Sequence, residues 1–333
     1  MVGYQFLQLV TGFALVVAAA FVIKDRRPGP FIAAAVAGSV IGAIVAILTF
    51  DNPAVGPPIA GLLAVTDTGR AAGPFVNPNY FGLLEAASIT VTVAWAIRTS
   101  SNRLRAALWG VVAILGVGLL LSLSRGAMAA LFVGLTAVAF ARSRALGVAA
   151  IVVGVALIIA IYPAFVEWRL GQTNGSATGS SYLIIAESDA SRIDGLLAGP
   201  KLFLTSPLFG VGWGNYSFLS GAVSGISTGI AAHNWYVNVL AELGAVGITL
   251  WILLLASVAI ALRSRTADAS SVGLPLLATV AVGSMFLEPP TSFQTSALPI
   301  IVIVAAIVGH WSTDPSISAT GERPTLHQRR LRT

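Results

Sequence analysis

The sequence predicts an all-α polytopic membrane protein with about nine transmembrane helices. Of its 333 residues, 56% are hydrophobic and only 10% are charged, whereas soluble domains average about 25% charged residues. The mean hydropathy is +0.87. Apolar runs such as VVAILGVGLLLSL do not alternate between apolar and polar residues, so they are typical of membrane helices and exclude a β-barrel.

Nine apolar stretches have about the length that a helix needs to cross a bilayer. They lie at residues 4–23, 30–50, 80–97, 106–123, 126–141, 145–163, 236–262, 272–287 and 297–311. We expect residues 1–311 to form a single transmembrane domain. The polar, basic tail at 312–333 is expected to be cytoplasmic and disordered.

The basic residues predict the orientation in the membrane. The loops that follow spans one, three, five, seven and nine hold 14 of the 19 Lys and Arg residues, and the opposite side holds 5. Because cytoplasmic loops carry the excess of Lys and Arg, the larger group is predicted to face the cytoplasm. The five residues predicted to lie outside are Arg70, Arg125, Arg169, Arg192 and Lys201.

Two external segments are long, at about 51–79 and 164–235. The first is rich in Pro, Gly and Ala, and the second ends in PLFGVGWGNY, whose glycines indicate tight turns. Within the second, Ser191 and Asp194 have the spacing of a helix start. The stretch that follows is amphipathic, with one apolar face formed by Ile193, Leu196 and Leu197.

The residue inventory argues against metals, cofactors and nucleic acid. The chain has no Cys and only three His, and these have no metal-binding spacing. The net charge of +6 comes from short basic clusters between apolar runs. Such clusters set the orientation of a membrane protein, so the charge does not indicate a surface that binds nucleic acid. We therefore predict no cofactor, no metal site and no nucleic-acid partner.

Arg125 is the first candidate site residue. It lies in LSLSRGAMAAL between two spans, where an Arg normally faces an anion, a carboxylate or a water-filled cavity. A guanidinium binds two phosphate oxygens at once, and the N-terminal amides of the helix that Gly126 opens also favour anions. The alternative is an interfacial Arg that reaches lipid headgroups.

His233 and Arg192 are candidates within the second external segment. His233 precedes Asn234 at the point where the chain re-enters the membrane, and histidine exchanges a proton near neutral pH, which suits a general base. The alternative for His233 is an interfacial histidine packed among aromatic residues, and the alternative for Arg192 is a solvated surface charge. Glu85 and Glu242 lie within predicted spans, where carboxylates either function or pair with a buried Arg. The stretch NPNYFG at 77–82 is expected to cap the helix that follows it.

Three stretches together resemble the O-antigen ligase and O-antigen polymerase superfamily of bacterial envelope glycan transferases. They are VNPNYFGLLEA at 76–86, LSLSRGAMAAL at 121–131, and the external run PLFGVGWGNY followed by HNWYVNVLAELGAVG at 233–247. The resemblance covers about residues 76–262. It implies a GT-C-like, metal-independent glycosyltransferase at the outer, periplasmic face of the inner (cytoplasmic) membrane.

The resemblance also implies partners and roles. The donor would be a polyprenyl pyrophosphate-linked glycan, and the acceptor a hydroxyl of a glycolipid, glycan or protein, with membrane lipids around both. Arg125 and Arg192 would bind the donor pyrophosphate, and His233 would activate the acceptor hydroxyl. Supporting residues would be Arg70, Asn79, Asn234 and Glu242.

Two other classes of protein stay open at this stage, as does the choice between ligase and polymerase. A transporter or flippase for a lipid-linked glycan would place its charges at the bilayer midplane, between matched halves with broken helices. A non-catalytic assembly protein would leave Arg125 and His233 unexplained. The polar candidates concentrate on one face beside a long loop, which favours chemistry at that surface.

Overall fold

The computed structural model describes residues 29–50, 65–66, 70–73, 77–173, 181–225 and 229–287. Within these ranges the protein consists of α-helices and one short antiparallel pair of strands. The predicted spans 4–23 and 297–311 and the tail at 312–333 lie outside the described residues.

The elements follow one another along the chain as helices, with the two strands after the first. They are α1 (Gly29–Thr49), β1 (Val65–Thr66), β2 (Arg70–Ala71), α2 (Pro78–Ala96), α3 (Asn102–Leu121), α4 (Arg125–Arg142), α5 (Arg144–Thr173), α6 (Ser181–Thr205), α7 (Tyr216–Ser224), α8 (Trp235–Arg263) and α9 (Ala267–Gly283). In the strand pair, Val65 lies opposite Ala71 and Thr66 opposite Arg70.

Five of the described helices are long and apolar enough to cross a membrane, namely α1, α3, α4, α5 and α8. The shorter α9 is also apolar. Their outward side chains are large and hydrophobic, as expected of helices that face lipid. The fold is therefore that of a polytopic α-helical membrane protein, as the composition predicted.

Helix α2 lies at the centre of the bundle, where α1, α3, α4 and α9 surround it. Because protein and not lipid covers it, α2 carries hydroxyl groups that a lipid-facing helix would expose at a cost. Ser88 bonds to Ser39 of α1 over 2.7 Å, and Thr90 bonds to Thr279 of α9 over 3.1 Å. These contacts fix the register of α2, whose N-terminal end contributes to the candidate site.

The loops gather alternately at two ends of the bundle. At one end, which we call the site end, the backbone amide of Trp235 donates to the carbonyl of Ser284 at 2.8 Å. At the opposite end, Arg98 forms an ion pair with Asp268 at 3.1 Å. The described basic residues predicted to be cytoplasmic lie at the opposite end, while Arg70, Arg125 and Arg192 lie at the site end.

The predicted continuous span at 236–262 is corrected, because α8 is broken at Gly244 (φ 68°, ψ −163°). The ring centroids of Trp235 and Trp251 are 5.3 Å apart, whereas a straight helix would separate the two residues by about 24 Å along its axis. The first part of α8 therefore folds back on the second. The second part, 245–263, is about 28 Å long, which still matches the bilayer core.

The segment predicted to be external, residues 164–235, starts and folds differently from expectation. The predicted helix start at Ser191 is wrong, because α6 begins at Ser181 and runs through it. The residues before Ser191 contain no glycine or proline, so nothing interrupts the helix there. Helix α5 also continues past Pro163 to Thr173, so the segment 164–235, which was predicted to be external, begins as helix.

Candidate functional site

A glycine-rich loop, residues 206–215, forms hydrogen bonds with the backbone of α8 at its break. A broken helix leaves amides and carbonyls without helical partners, and such groups are costly when they are buried away from water. The loop supplies acceptors to the second half of the helix and donors to the first half. The four bonds are Ala245 N to Pro207 O (2.8 Å), Val246 N to Leu208 O (3.2 Å), Val211 N to Ala241 O (3.0 Å) and Gly212 N to Glu242 O (2.9 Å).

Two glycines make this contact possible. Gly210 and Gly244 have φ of +70° and +68°, which is the left-handed region that favours glycine. A β-carbon at Gly210 would overlap the backbone of Glu242, and one at Gly244 would overlap the backbone of Leu208. The tight turns predicted for the glycine run are confirmed. They allow the loop backbone to contact the backbone of α8 at its break.

Glu242 ties three helices of the site end together. Its carboxylate accepts the backbone amide of Tyr216, the first residue of α7, at 2.8 Å, where Asn215 makes no side-chain cap. The Tyr216 hydroxyl donates to the carbonyl of Gly195 in α6. Burial and the nearby Glu242 charge raise the pKa of Tyr216, so this hydroxyl keeps its proton and remains a donor. Glu242 thus holds the start of α7, and the Tyr216 side chain links α7 to Gly195, three residues after Arg192 in α6.

Arg192 and His233 are brought together by this arrangement. His233 has a left-handed backbone (φ 48°) and precedes Asn234, whose side chain caps α8 by accepting the amide of Val237 at 3.1 Å. Burial, and then the positive charge of Arg192, lower the pKa of His233. The imidazole is therefore neutral at pH 7 and able to accept a proton.

Arg125 begins α4, directly after the turn formed by Ser122, Leu123 and Ser124. Leu123 has a positive φ of 51°, which is uncommon for a non-glycine residue, and the Ser124 hydroxyl caps α4 by accepting the amide of Ala127 at 3.3 Å. The predicted hairpin is confirmed. It presents Arg125 at the N-terminus of a helix, where the backbone also favours anions.

Arg70 and Asn79 hold this turn from the side. The Arg70 Nε donates to the carbonyl of Ser122 at 2.9 Å, and its Nη2 donates to Asn79 Oδ1 at 2.8 Å. Asn77 caps α2 by accepting the amide of Asn79 at 2.8 Å, which confirms the capping role expected of NPNYFG. Two of the predicted supporting residues therefore fix the hairpin that carries Arg125.

The segment after α9 connects the two parts of the site. Phe286 packs directly on Gly126, the neighbour of Arg125, so that a β-carbon there would overlap the ring. Two residues earlier, Ser284 accepts the amide of Trp235, next to Asn234 and His233. The hairpin with Arg125 and the pair of Arg192 and His233 thus lie at the same end of the bundle on one continuous framework.

Several residues of the site end escaped the sequence analysis. Tyr216 was read only as the end of the glycine motif, and Trp213, which stacks edge to face on Trp235 at 5.9 Å, was read as part of a turn. Phe286 carries no pattern of its own. Glu85, by contrast, was selected from its place in a predicted span. It is fully buried in α2, and within the described ranges neither of its carboxylate oxygens has a hydrogen-bond partner, so the expected pairing with a buried Arg is not seen there.

No group of three or more His, Asp and Glu side chains within the described part of the chain could hold a metal ion. Among the charged or titratable side chains that the structure places at the site end are Arg70, Arg125, Arg192, His233 and Glu242. Such a set can bind an anion and remove a proton from a hydroxyl.

Comparison with known families agrees with the motifs. Residues 110–252 match the family model described as O-antigen ligase, and the match runs from α3 into α8, so that it includes Arg125, Arg192, His233 and Glu242. No curated protein matches the chain. The match confirms the resemblance of residues 110–252 to the O-antigen ligase and O-antigen polymerase superfamily.

Proposed function

We propose that the protein transfers or polymerises a glycan from a polyprenyl pyrophosphate-linked donor onto a hydroxyl acceptor. The reaction takes place at the outer face of the cytoplasmic membrane and needs no metal. The observation that carries this proposal is the proximity of the Arg192 guanidinium to the neutral His233 imidazole, at the end of the bundle that also holds Arg125. A GT-C-like arrangement of nine spans is part of the same proposal.

The proposed step uses each of these groups once. The His233 imidazole accepts the proton of the acceptor hydroxyl, whose oxygen forms the new bond to the anomeric carbon of the donor glycan. The bond between that carbon and the pyrophosphate oxygen breaks, and polyprenyl pyrophosphate leaves. Arg125 and Arg192 stabilise the negative charge that develops on the leaving group, which is worth most in a site with little water.

Arg192 should also set the pH at which His233 works. Because its positive charge lowers the pKa of His233, removing the charge should raise that pKa. Activity is lost as the imidazole becomes protonated, so the acidic limb of the pH–rate profile should lie below pH ~6.5 in the wild type. In Arg192→Gln the limb should move to higher pH, in addition to a fall in rate.

The matched control for this shift is Arg192→Lys. It keeps the charge, so its acidic limb should stay near the wild-type position even though the rate falls with the lost two-oxygen grip. Profiles of kcat against pH for the three proteins separate the two effects. An acidic limb at the same pH in Arg192→Gln and wild type would show that Arg192 does not act on His233.

A lipid-glycan flippase remains the alternative, because broken helices are also a feature of transporters. In transporters the backbone groups at the break bind the substrate or its coupling ions. Here two amides and two carbonyls at the break form hydrogen bonds with the loop 206–215, so these groups are used within the protein and not for a substrate. This use of the break favours a fixed site over a moving one.

The orientation in the membrane is tested by labelling single cysteines. The natural chain has no Cys, so Ser191→Cys and Ser100→Cys each introduce one exposed thiol at opposite ends of the bundle. We expect an impermeant maleimide to label Ser191→Cys in intact cells, and to label Ser100→Cys only after the membrane is opened. The reverse pattern would put the proposed site on the cytoplasmic face.

A further inference from the structure

Helix α6 buries its small residues and exposes most of its large apolar ones, which is the reverse of a typical helix in a soluble domain. Its small residues Gly195, Ala198 and Gly199 are buried, and they contact Ala231, Tyr216 and Val237 so closely that a β-carbon at either glycine would overlap its neighbour. Of its large apolar residues from 190 onward, Leu202 is buried in this contact, whereas Ile193, Leu196, Leu197 and Leu204 are exposed. Soluble proteins bury large apolar side chains, whereas helices in membranes pack through small ones.

The exposed large apolar residues of α6 and of the loop that follows it are together called the α6 apolar face. Ile193, Leu197 and Leu204 are four and seven residues apart and so lie on one side of the helix. The surface continues into the glycine-rich loop that follows. Its members, with exposed fractions between 38% and 72%, are Ile193, Leu196, Leu197, Leu204, Leu208 and Phe209.

The position of this face relative to α8 indicates what covers it. The carbonyls of Pro207 and Leu208 cap the second half of α8, the part at 245–263 that is long enough to cross the bilayer. Val246 and Leu250 on that helix are also exposed. The α6 apolar face therefore joins the lipid-facing surface of α8 at the level where the spanning part begins.

We propose that the α6 apolar face lies in the outer leaflet of the membrane and contacts lipid acyl chains. Helix α6 is then an interfacial helix whose small-residue side binds the protein and whose large-residue side enters the bilayer. Arg192 lies beside Ile193 at the start of this face, so the anchor would hold Arg192 at the depth of lipid phosphate groups. A second copy of the chain or another protein partner is the occupant that the test must exclude.

The test uses single cysteines labelled with an environment-sensitive fluorophore. Leu197→Cys and Leu204→Cys report on the α6 apolar face, and Ser100→Cys, in an exposed loop at the opposite end of the bundle, is the matched control. Each purified protein is reconstituted into vesicles of ordinary or brominated phosphatidylcholine, with iodide present on both sides of the membrane in a parallel series. Substitution of exposed side chains should leave folding intact, which a single elution peak checks, and Ile193→Cys replaces any variant that fails.

We expect brominated lipid to quench the Leu197 and Leu204 labels about twofold or more relative to the Ser100 label, and iodide to quench mainly the Ser100 label. Quenching of all three labels by iodide alone would show that the face is in water. Protection of Leu197 and Leu204 from both quenchers would show that protein covers it. Either result overturns the proposal. No glycan transfer is measured, so the outcome is independent of the proposed activity.

Discussion

Replacing Arg125 with lysine should lower the rate of glycan transfer about hundredfold, even though the charge is kept. A guanidinium binds two pyrophosphate oxygens in one plane, and the point charge of an ammonium group cannot reproduce that geometry. Loss of one such contact costs on the order of 3 kcal/mol in transition-state stabilisation, which corresponds to the expected fall in rate. Arg125→Ala should be at least as slow.

The structure explains why Arg125 should be sensitive to this change. It starts α4 after a turn that Arg70 and Ser124 hold in place, so a replacement side chain cannot move its backbone to regain the contact. The matched control is Arg98→Lys, which makes the same chemical change at the opposite end of the bundle, in an ion pair that is partly exposed. Surface pairs of this kind contribute little, so transfer should be near the wild-type rate.

The measurement is the initial rate of transfer per amount of purified, folded protein, and the amount of each variant in the membrane fraction is compared separately. Wild-type rates for Arg125→Ala, at normal membrane levels, would remove Arg125 from the proposed pyrophosphate site. Slow transfer by Arg98→Lys as well would point instead to a general loss of stability.

The sequence was informative wherever one physical constraint dominates. Lipid solvation requires long apolar helices, so the described spans were visible as runs of hydrophobic residues. The hairpin before Arg125 and the cap at Asn77 were predicted from short-range rules, because polar residues between two apolar runs leave few conformations for the chain. The tight turns around Gly210 and Gly212, both of which have positive φ in the structure, were predicted in the same way from glycines in a short segment.

The break in α8 shows what such rules cannot reach. A single glycine in an apolar run is compatible with an unbroken helix, and Gly244 breaks it only because the loop 206–215 supplies hydrogen-bond partners from a distant part of the chain. The same long-range contact turns Glu242 from an intramembrane carboxylate into the cap of α7. Local sequence patterns predict neither the contact of the loop with α8 nor the bond of Glu242 to Tyr216, because both join residues that are distant in the sequence.

The candidate site depends both on residues that local rules could identify and on long-range contacts that they could not. His233 and Arg192 were each selected for their chemistry and their place on one face of the membrane, yet neither position alone distinguishes a catalytic residue from an interfacial one. What unites them is the packing of α6 on α7 and α8 through Gly195, Gly199 and Tyr216. Gly195 and Gly199 in a stretch predicted to be an amphipathic helix, and Tyr216 at the end of the glycine run, were the available signal, but only the apolar face of the helix and the turns were recognised.

Removing the imidazole of His233 should have the largest effect of all. If His233 takes the proton of the acceptor hydroxyl, His233→Ala should lower transfer by roughly 10²–10⁴-fold, while binding of the lipid-linked donor stays close to normal because the arginines hold the donor. The decisive assay contains purified protein in detergent, a defined polyprenyl-linked glycan, a hydroxyl acceptor and excess chelator. Wild-type transfer in chelator is expected, since the proposed step uses no metal.

The backbone at His233 requires a second variant. Its φ of 48° disfavours alanine, whereas asparagine adopts that conformation readily, so His233→Asn tests the side chain without straining the turn before α8. Both variants should lose transfer to a similar extent, whereas His327→Ala, which makes the same change in the tail predicted from the sequence to be cytoplasmic, should transfer at the wild-type rate. Transfer by His233→Asn but not by His233→Ala would assign His233 a role in the turn only. If neither variant nor wild type transfers glycan to several acceptors, while vesicles containing the wild type move the lipid-linked glycan across the bilayer, the protein is a flippase and the proposed reaction is wrong.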